Sequence, residues 1–260
     1  MLRLDLAQLI AVLPDGDDQF VGESPSYDHQ RVYGGQAVAQ ALWAAAATVE
    51  RDRPVHSLHA YFLGGGDVAA PLRYAVERTR EGRSFSTRRV DVVQDGETLA
   101  TVTASFQQRE GGLDHQADEA PAGVPRPEDA SPSDRGFFVR ASAELAPGPD
   151  RSRQWLAADG LESDDPVLHA CALAFLSDYN AMDAVLSYDP AEPADGTMAA
   201  SLDHSIWFHR PARADEWLLF DVSSRGTVGS RGLAVGSVFA AEGVLIATIA
   251  QEGVVRERRA

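Results

Sequence analysis

Four histidines, one cysteine and one aspartate have types and surroundings that could do chemistry. His56 with His59, and His204 with His209, offer His-x-x-His and His-x₄-His spacings that suggest metal ligands. Both pairs lie on strand-like runs rather than on one helix face, and Cys171 is the only possible thiolate. Histidines satisfied near sheet ends are therefore the simpler expectation. Cys171 itself sits in an Ala/Leu-rich run and reads as inert core rather than as a nucleophile. Asp178 is flanked by Phe175, Leu176 and Met182. An acid among apolar neighbours is costly unless it is networked, so a role or a partner is expected of it. Ser201 and Gln251 lie in strand-like runs, and each alone reads as an ordinary sheet residue.

Several chemistries are disfavoured. No Gly-x-Ser-x-Gly elbow occurs, which argues against a serine hydrolase of the α/β type. Gly64-Gly65-Gly66-Asp67 lacks the lysine or helix of a phosphate loop and reads as a turn. All 23 cationic side chains are arginines, against 39 Asp plus Glu and a net charge of -16. Without lysine there is no Schiff-base or Walker-type chemistry. The acidity also argues against nucleic acid as a partner, since phosphate neutralisation supplies most non-specific affinity there.

These residues need elements to hold them. A short amphipathic helix is expected at 4–13 and a strand at 19–24. An Ala-rich helix at 37–49 is apolar on nearly every face, and such helices are buried all round. Strands follow at 54–63, 72–79, 84–94 and 98–107, the last two joined by Asp95-Gly96, a strong hairpin signal. Residues 109–135 carry Pro121, Pro125, Pro127 and Pro132 and have linker composition. The pattern then restarts: a strand at 154–157, a helix at 166–186, and strands at 198–208, 217–223, 232–240 and 244–254. No apolar run reaches the ~20 residues of a membrane-spanning helix. The first residues lack a secretory signal, and with a lone cysteine a cytoplasmic location is expected.

The restart is a repeat. Leu99-Ala100-Thr101-Val102 recurs as Ile246-Ala247-Thr248-Ile249, and Gly96 recurs as Gly243, both shifted by 147. Leu72, Tyr74 and Val76 match Leu218, Phe220 and Val222, shifted by 146. Tyr61-Phe62 and Trp207-Phe208 end matching segments. Two copies of one domain are expected, at 1–108 and 136–260, joined by the 109–135 linker. In each, a sheet wraps a buried helix, an α+β hot-dog arrangement. Joined edge strands would remove two exposed edges.

In these segments the sequence resembles the type II acyl-CoA thioesterases (TesB-like, double hot-dog). The matching stretches are Tyr33-Gly34-Gly35-Gln36, Val55–Leu63 and Gly82–Val90 in the first copy. In the second they are Ser177-Asp178-Tyr179-Asn180, Asp203–Arg210 and Gln251-Glu252-Gly253. The resemblance implies hydrolysis of medium- to long-chain fatty acyl-CoA by an activated water, with no covalent intermediate and no cofactor. It assigns the catalytic set to Asp178, Ser201 and Gln251. Independently of the resemblance, Gly34 and Gly35 before the first helix are expected to let a substrate carbonyl approach the backbone closely. Where the family has Arg-Pro-Gly-Asp, this chain has Gly64-Gly65-Gly66-Asp67, so CoA phosphates fall to other arginines, with Arg83, Arg88, Arg89, Arg225 and Arg231 as candidates and Arg83, Arg88 and Arg231 preferred. Under the 147 shift Gln251 falls on Ala104, and no acid lies near Val32, where Asp178 would map. One active site per chain is expected, and a homodimer or larger homo-oligomer. Two alternatives are kept: a non-catalytic acyl-CoA-binding protein, and a hydratase that would pair Asp178 with His169.

Overall fold

A computed structural model describes residues 5–25, 31–133, 138–145, 149–187 and 197–257. The first half runs α1 (Leu6–Ile10), β1 (Leu13–Pro14), β2 (Gln19–Gly22), α2 (Gly34–Ala46), β3 (Val55–Phe62), β4 (Leu72–Glu81), β5 (Phe85–Gln94) and β6 (Glu97–Gln107). After a short 3₁₀ turn come β7 (Pro132–Ser133), β8 (Val139–Ser142), β9 (Arg151–Ala158), α3 (Pro166–Ser177) and α4 (Asp183–Leu186). The chain ends with β10 (Thr197–Ser201), β11 (Asp203–Phe208), β12 (Leu218–Val228), β13 (Arg231–Ala240) and β14 (Leu245–Glu257).

All the strands join one antiparallel sheet in the order β1-β2-β4-β5-β6-β3-β11-β14-β13-β12-β9-β8-β7, with β10 pairing to β14. The order reads the same from both ends. β2-β4-β5-β6-β3 is mirrored by β9-β12-β13-β14-β11, and β3 meets β11 at the centre. There His59 pairs with Ser205, its repeat counterpart 146 residues on, and their side chains hydrogen-bond at 3.0 Å. A two-fold pseudo-axis therefore passes between these residues, and two edges of the half-sheets vanish into the join.

Period-2 alternation explains which faces turn inward. Ser86, Arg88, Val90 and Val92 are buried along β5, and Ala247, Ile249 and Gln251 along β14. Asp95 and Gly96 both adopt positive φ in the β5–β6 hairpin, the backbone a tight primed turn requires. Both helices and the inward faces of both half-sheets share one buried cluster. α2 and α3 run antiparallel. The start of α2 meets the end of α3, where the Tyr33 hydroxyl donates to the Phe175 carbonyl at 2.9 Å. This is the expected double hot-dog layout.

Three expectations need correction. The apolar stretch 166–186 is not one helix: α3 stops at Ser177 with Asp178 as its C-cap, and α4 is a separate turn. The 198–208 strand is broken at Leu202 into β10 and β11. The proline-rich stretch is more than a linker, because it straps the outer face of the second half-sheet. Gln116 bonds Gly243 and Leu245, and the Trp155 indole N–H donates to the Pro125 carbonyl. Ala120, Val124 and Ala130 pack on Trp155, Leu219 and Phe239 there.

Candidate active site

Asp178 caps α3 and lies against the first turn of α2. A Cβ on Gly34 would stand 2.8 Å from its Oδ2, so the helix start approaches the carboxylate as closely as a residue without a side chain allows. A Cβ on Gly35 would stand 2.6 Å from the Phe175 carbonyl. Ser201 ends β10, and Gln251 occupies a core-facing position of β14. The break at Leu202 sets their register. Leu202 N–H donates to the Glu252 carbonyl, and Glu252 N–H donates to Asp203 Oδ1, both at 2.8 Å.

The structure brings these three side chains together. Gln251 Nε2 donates to Asp178 Oδ1 at 2.8 Å and to Ser201 Oγ at 2.5 Å. The carboxylate dictates the amide's orientation, since Oε1 facing it would be repelled. Both amide protons are therefore spent on protein partners. Gln251 acts as a bridge, while Ser201, accepting from it, keeps its own hydroxyl proton free to donate. Burial raises the Asp178 pKa to about 6, and hydrogen bonds from Gln251 and the Gly35 backbone pull against that rise. Part of Asp178 remains reachable by solvent.

His204 was expected only to be satisfied near a sheet end, yet it stands directly behind the trio. It is fully buried, in phase with Ile206 on the core face of β11, and its Nε2 lies 2.8 Å from Ser177 Oγ. Burial drives its pKa down to about 4, with Gln251 pushing the other way. The ring is therefore neutral at physiological pH. The other three histidines of the sequence motifs also meet hydroxyl groups: His56 at Ser105, His59 at Ser205 and His209 at Thr248. Among the described residues no cluster of three or more His, Cys, Asp or Glu side chains forms a metal-binding group. Cys171 is buried, and burial raises its pKa. His169 binds the Ser163 carbonyl and the Ala214 N–H near the start of α3, more than two turns from Asp178.

The candidate arginines fare unequally. Arg88 is 0% exposed, and its guanidinium is spent on Glu81, on Thr48 and on the Arg80 and Thr87 carbonyls. It is a structural cation and cannot meet a phosphate. Arg83 is exposed in the β4–β5 turn, beside Gly82, whose carbonyl binds Arg53 at the far end of the helix pair from Asp178. Arg231 lies at the Asp178 end, opposite Val254 and paired with Glu252 at 3.1 Å. Sequence reasoning missed Arg31. A Cβ on Gly65 would stand 3.4 Å from its Nη1, so Arg31 lies against the glycine turn, beside the small hollow that Gly34 and Phe62 line. Its place two residues before Tyr33-Gly34 was the available signal.

The repeat register in the sheet agrees with the sequence, and Gln251 corresponds to Ala104. The helices are offset differently. Their N-caps, Tyr33 and Asp165, lie 132 residues apart, because the second copy has a longer segment between helix and sheet. Matched C-cap to C-cap, the counterpart of Asp178 is Ala47, with Ala46 its match at the N-cap offset, and not a residue near Val32. Ser201, opposite Gly253, corresponds to Val55, opposite Phe106.

Residues 24–107 match the family described as acyl-CoA thioesterase N-terminal domain, and residues 100–255 match acyl-CoA thioesterase C-terminal domain. The chain is 36% identical over 277 residues to Acyl-CoA thioesterase 2 of Haemophilus influenzae, covering 97% of each. It is 38% identical to Acyl-coenzyme A thioesterase 8 of Mus musculus, over 87% of this chain and 81% of that one. A crystal structure of an acyl-CoA thioesterase II from Mycobacterium marinum superposes with a TM-score of 0.84 at 38% identity, covering 97% of this chain and 98% of that one.

Proposed function

The chain belongs to the acyl-CoA thioesterase family, and on that premise we propose that it hydrolyses medium- to long-chain fatty acyl-CoA with Asp178 as general base. The observation that carries the mechanism is the shared amide: Gln251 holds Asp178 and Ser201 at 2.8 and 2.5 Å, close enough to frame one water molecule. The free edge of the carboxylate takes a proton from that water as its oxygen attacks the thioester carbon. The Ser201 hydroxyl fixes the water's direction. The carbonyl oxygen gains negative charge at the start of α2, where the helix dipole is positive; the Gly35 N–H is given to Asp178 and those of Gln36 and Ala37 to the Tyr33 carbonyl, so the oxyanion is assigned to the Gly34 end of that turn. The C–S bond then breaks, the thiolate leaves as CoA, and the proton held by Asp178 returns to it. The products are a fatty acid and CoA.

Gly34 and Gly35 give the substrate carbonyl access to this helix end. Arg31 and Arg231 are the cations we assign to the CoA phosphates, as both stand at the catalytic end. The acyl chain is assigned to the apolar surface beyond Gly34, towards Leu72, Val92 and Leu99, where a hollow of about 30 Å³ must widen to admit it. No described helix is long and apolar enough to cross a membrane, and a cytoplasmic location fits a lone, reduced cysteine. We also propose a homo-oligomer. Tyr61 and Trp207, repeat counterparts at the pseudo-axis, are 63% and 39% exposed on the outer face. Sedimentation velocity on Tyr61→Arg, if it ran like the parent protein, would exclude that face as the interface.

Free-thiol release from palmitoyl-, octanoyl- and acetyl-CoA tests the reaction and the chain preference. Release from the longer two, abolished in Asp178→Asn, is expected. Ligand-induced stabilisation without any release would instead indicate an acyl-CoA-binding protein.

A further inference from the structure

The end of the helix pair remote from Asp178 holds a hollow of about 380 Å³, within the ~300–1,000 Å³ range of small-molecule sites. Its walls are the repeat counterparts of the catalytic end. Phe62, Gly64 and Gly66, beside Gly34, correspond at the 146 offset to Phe208, Arg210 and Ala212, which all line the far hollow. The start of α3, with Pro166 and Val167, replaces the start of α2. The shape has persisted while the reacting groups have not, because Asp178, Ser201 and Gln251 are represented by Ala47, Val55 and Ala104. Leu42, Ala46, Val55, Phe106, Val167 and Ala170 make the remaining floor apolar.

The mouth is cationic, in a chain whose net charge is -16. Arg51, Arg53, Arg109 and Arg210 stand around it with one acid, Glu110. Two of these arginines are committed: Arg53 to Glu50, Glu81 and Ser86, and Arg210 to Asp114 and the Leu245 carbonyl. The other two are available. Arg51 is 88% exposed, with a single 3.7 Å contact to Asp165, and Arg109 has no ion pair among the described residues. An apolar floor beneath exposed guanidinium groups, one unpaired and one only loosely paired, suits an alkyl tail with an anionic head.

We propose that this hollow is an accessory binding site for a fatty carboxylate, the chemical class this family's reaction releases, with its head at Arg51 and Arg109 and its chain along α2 and α3. The site stands on its own lining and does not depend on Asp178 being the base. Titration calorimetry of the full chain with dodecanoate tests it. Ala170→Trp, which fills the hollow, should remove one class of dodecanoate site while thiol release stays within about twofold of the parent protein. Arg51→Glu with Arg109→Glu, on the exposed rim, should weaken that class at least tenfold and decides the matter alone if the tryptophan variant does not fold. Dodecyltrimethylammonium should not occupy the site. Unchanged dodecanoate binding in both variants would overturn the proposal, as would equally tight binding of the cationic probe.

Discussion

At one end of the helix pair the start of α2 meets the end of α3, and at the other the start of α3 meets the end of α2. The pseudo-axis between His59 and Ser205 exchanges these two places, so duplication built both from the same parts. Their contents differ. The first end gathers a carboxylate, a hydroxyl and an amide around one hydrogen-bonded junction, and the second has alanine, valine and alanine. Most of the difference enters through chain length. Residues 178–202 separate helix from strand in the second copy, where 47–54 suffice in the first. That longer segment brings the acid at its beginning and β10 with Ser201 near its end, and the shared sheet contributes only Gln251. The lesson is that a common scaffold sets where a site can be, while one insertion decides whether acid, hydroxyl and amide meet there.

Removing the acid should break the contrast most. Asp178→Asn keeps the shape and loses the base, so kcat is expected to fall by about 10²–10⁴-fold, the usual reach of general-base catalysis. For the parent protein, kcat/KM should rise with pH through an apparent pKa near 6, because only the ionised carboxylate takes a proton. The same raised value costs stability. Its favourable contribution is complete below the ordinary value of 3.8 and is lost as pH rises through about 6. Asp178→Asn should therefore be more stable than the parent at pH 8, by about 2–3 kcal/mol at ~1.4 kcal/mol per pKa unit, and should converge with it near pH 3.5. Urea denaturation at both pH values checks the sign. An asparagine variant less stable at pH 8 would mean that the carboxylate is well solvated.

The second largest effect is expected from Gly35→Ala. The new Cβ meets the Phe175 carbonyl, a backbone atom that cannot step aside, so α2 and the end of α3 must part. A displacement near 1 Å at a reacting centre costs about 10²-fold in rate. Loss in kcat with a folded far-UV spectrum is expected, and parent-like turnover would show that the helix start does not hold the substrate carbonyl.

His204→Ala should cost less, about tenfold in kcat with KM little changed, because the ring fills the buried space behind Gln251 and touches no reacting atom. With both amide protons committed, Gln251 has only its oxygen left for the side facing His204; that oxygen and His204 Nδ1 are both buried without a hydrogen-bond partner, and the neutral ring is held by Ser177 at its Nε2. Releasing that amide weakens its bond to Asp178. The apparent pKa of the rate profile should move upwards from about 6, a shift that damage to packing alone would not produce.

How much of this was legible depended on whether a signal lay within one element or between two. Alternation placed nearly every long strand, and the same alternation could have revealed two misjudged residues. Arg88 is in phase with Val90 and Val92, and His204 with Ile206, so both face the core. The end of α3 left no such trace. Residues 166–186 stay apolar throughout, and the helix stops at Asp178 because the start of α2, 142 residues away at its Tyr33–Phe175 bond, occupies that end. The strap was hidden for a similar reason. Ala120, Val124 and Ala130 are unremarkable until Trp155 and Trp217 are beside them. Asp178, Ser201 and Gln251 could be singled out as a set through the family resemblance alone, since three side chains from a helix cap and two strands share no local pattern.

The smallest effect on activity is expected at the far end, and it tests the comparison from the other side. Ala104→Gln restores the amide at the position matching Gln251, but Ala47 and Val55 give it neither an acid nor a hydroxyl to bridge. Ala104 is fully buried, so the new amide would stand in a dry place with its donors unmet. A cost of about 1–3 kcal/mol in stability follows from stranding such a group, and no second turnover should appear. Thiol release per chain should match the parent protein while the urea midpoint falls. Added activity would mean that the far end had kept more of its catalytic frame than the side chains there suggest. An unchanged midpoint would mean that the amide found water or the mouth of the hollow.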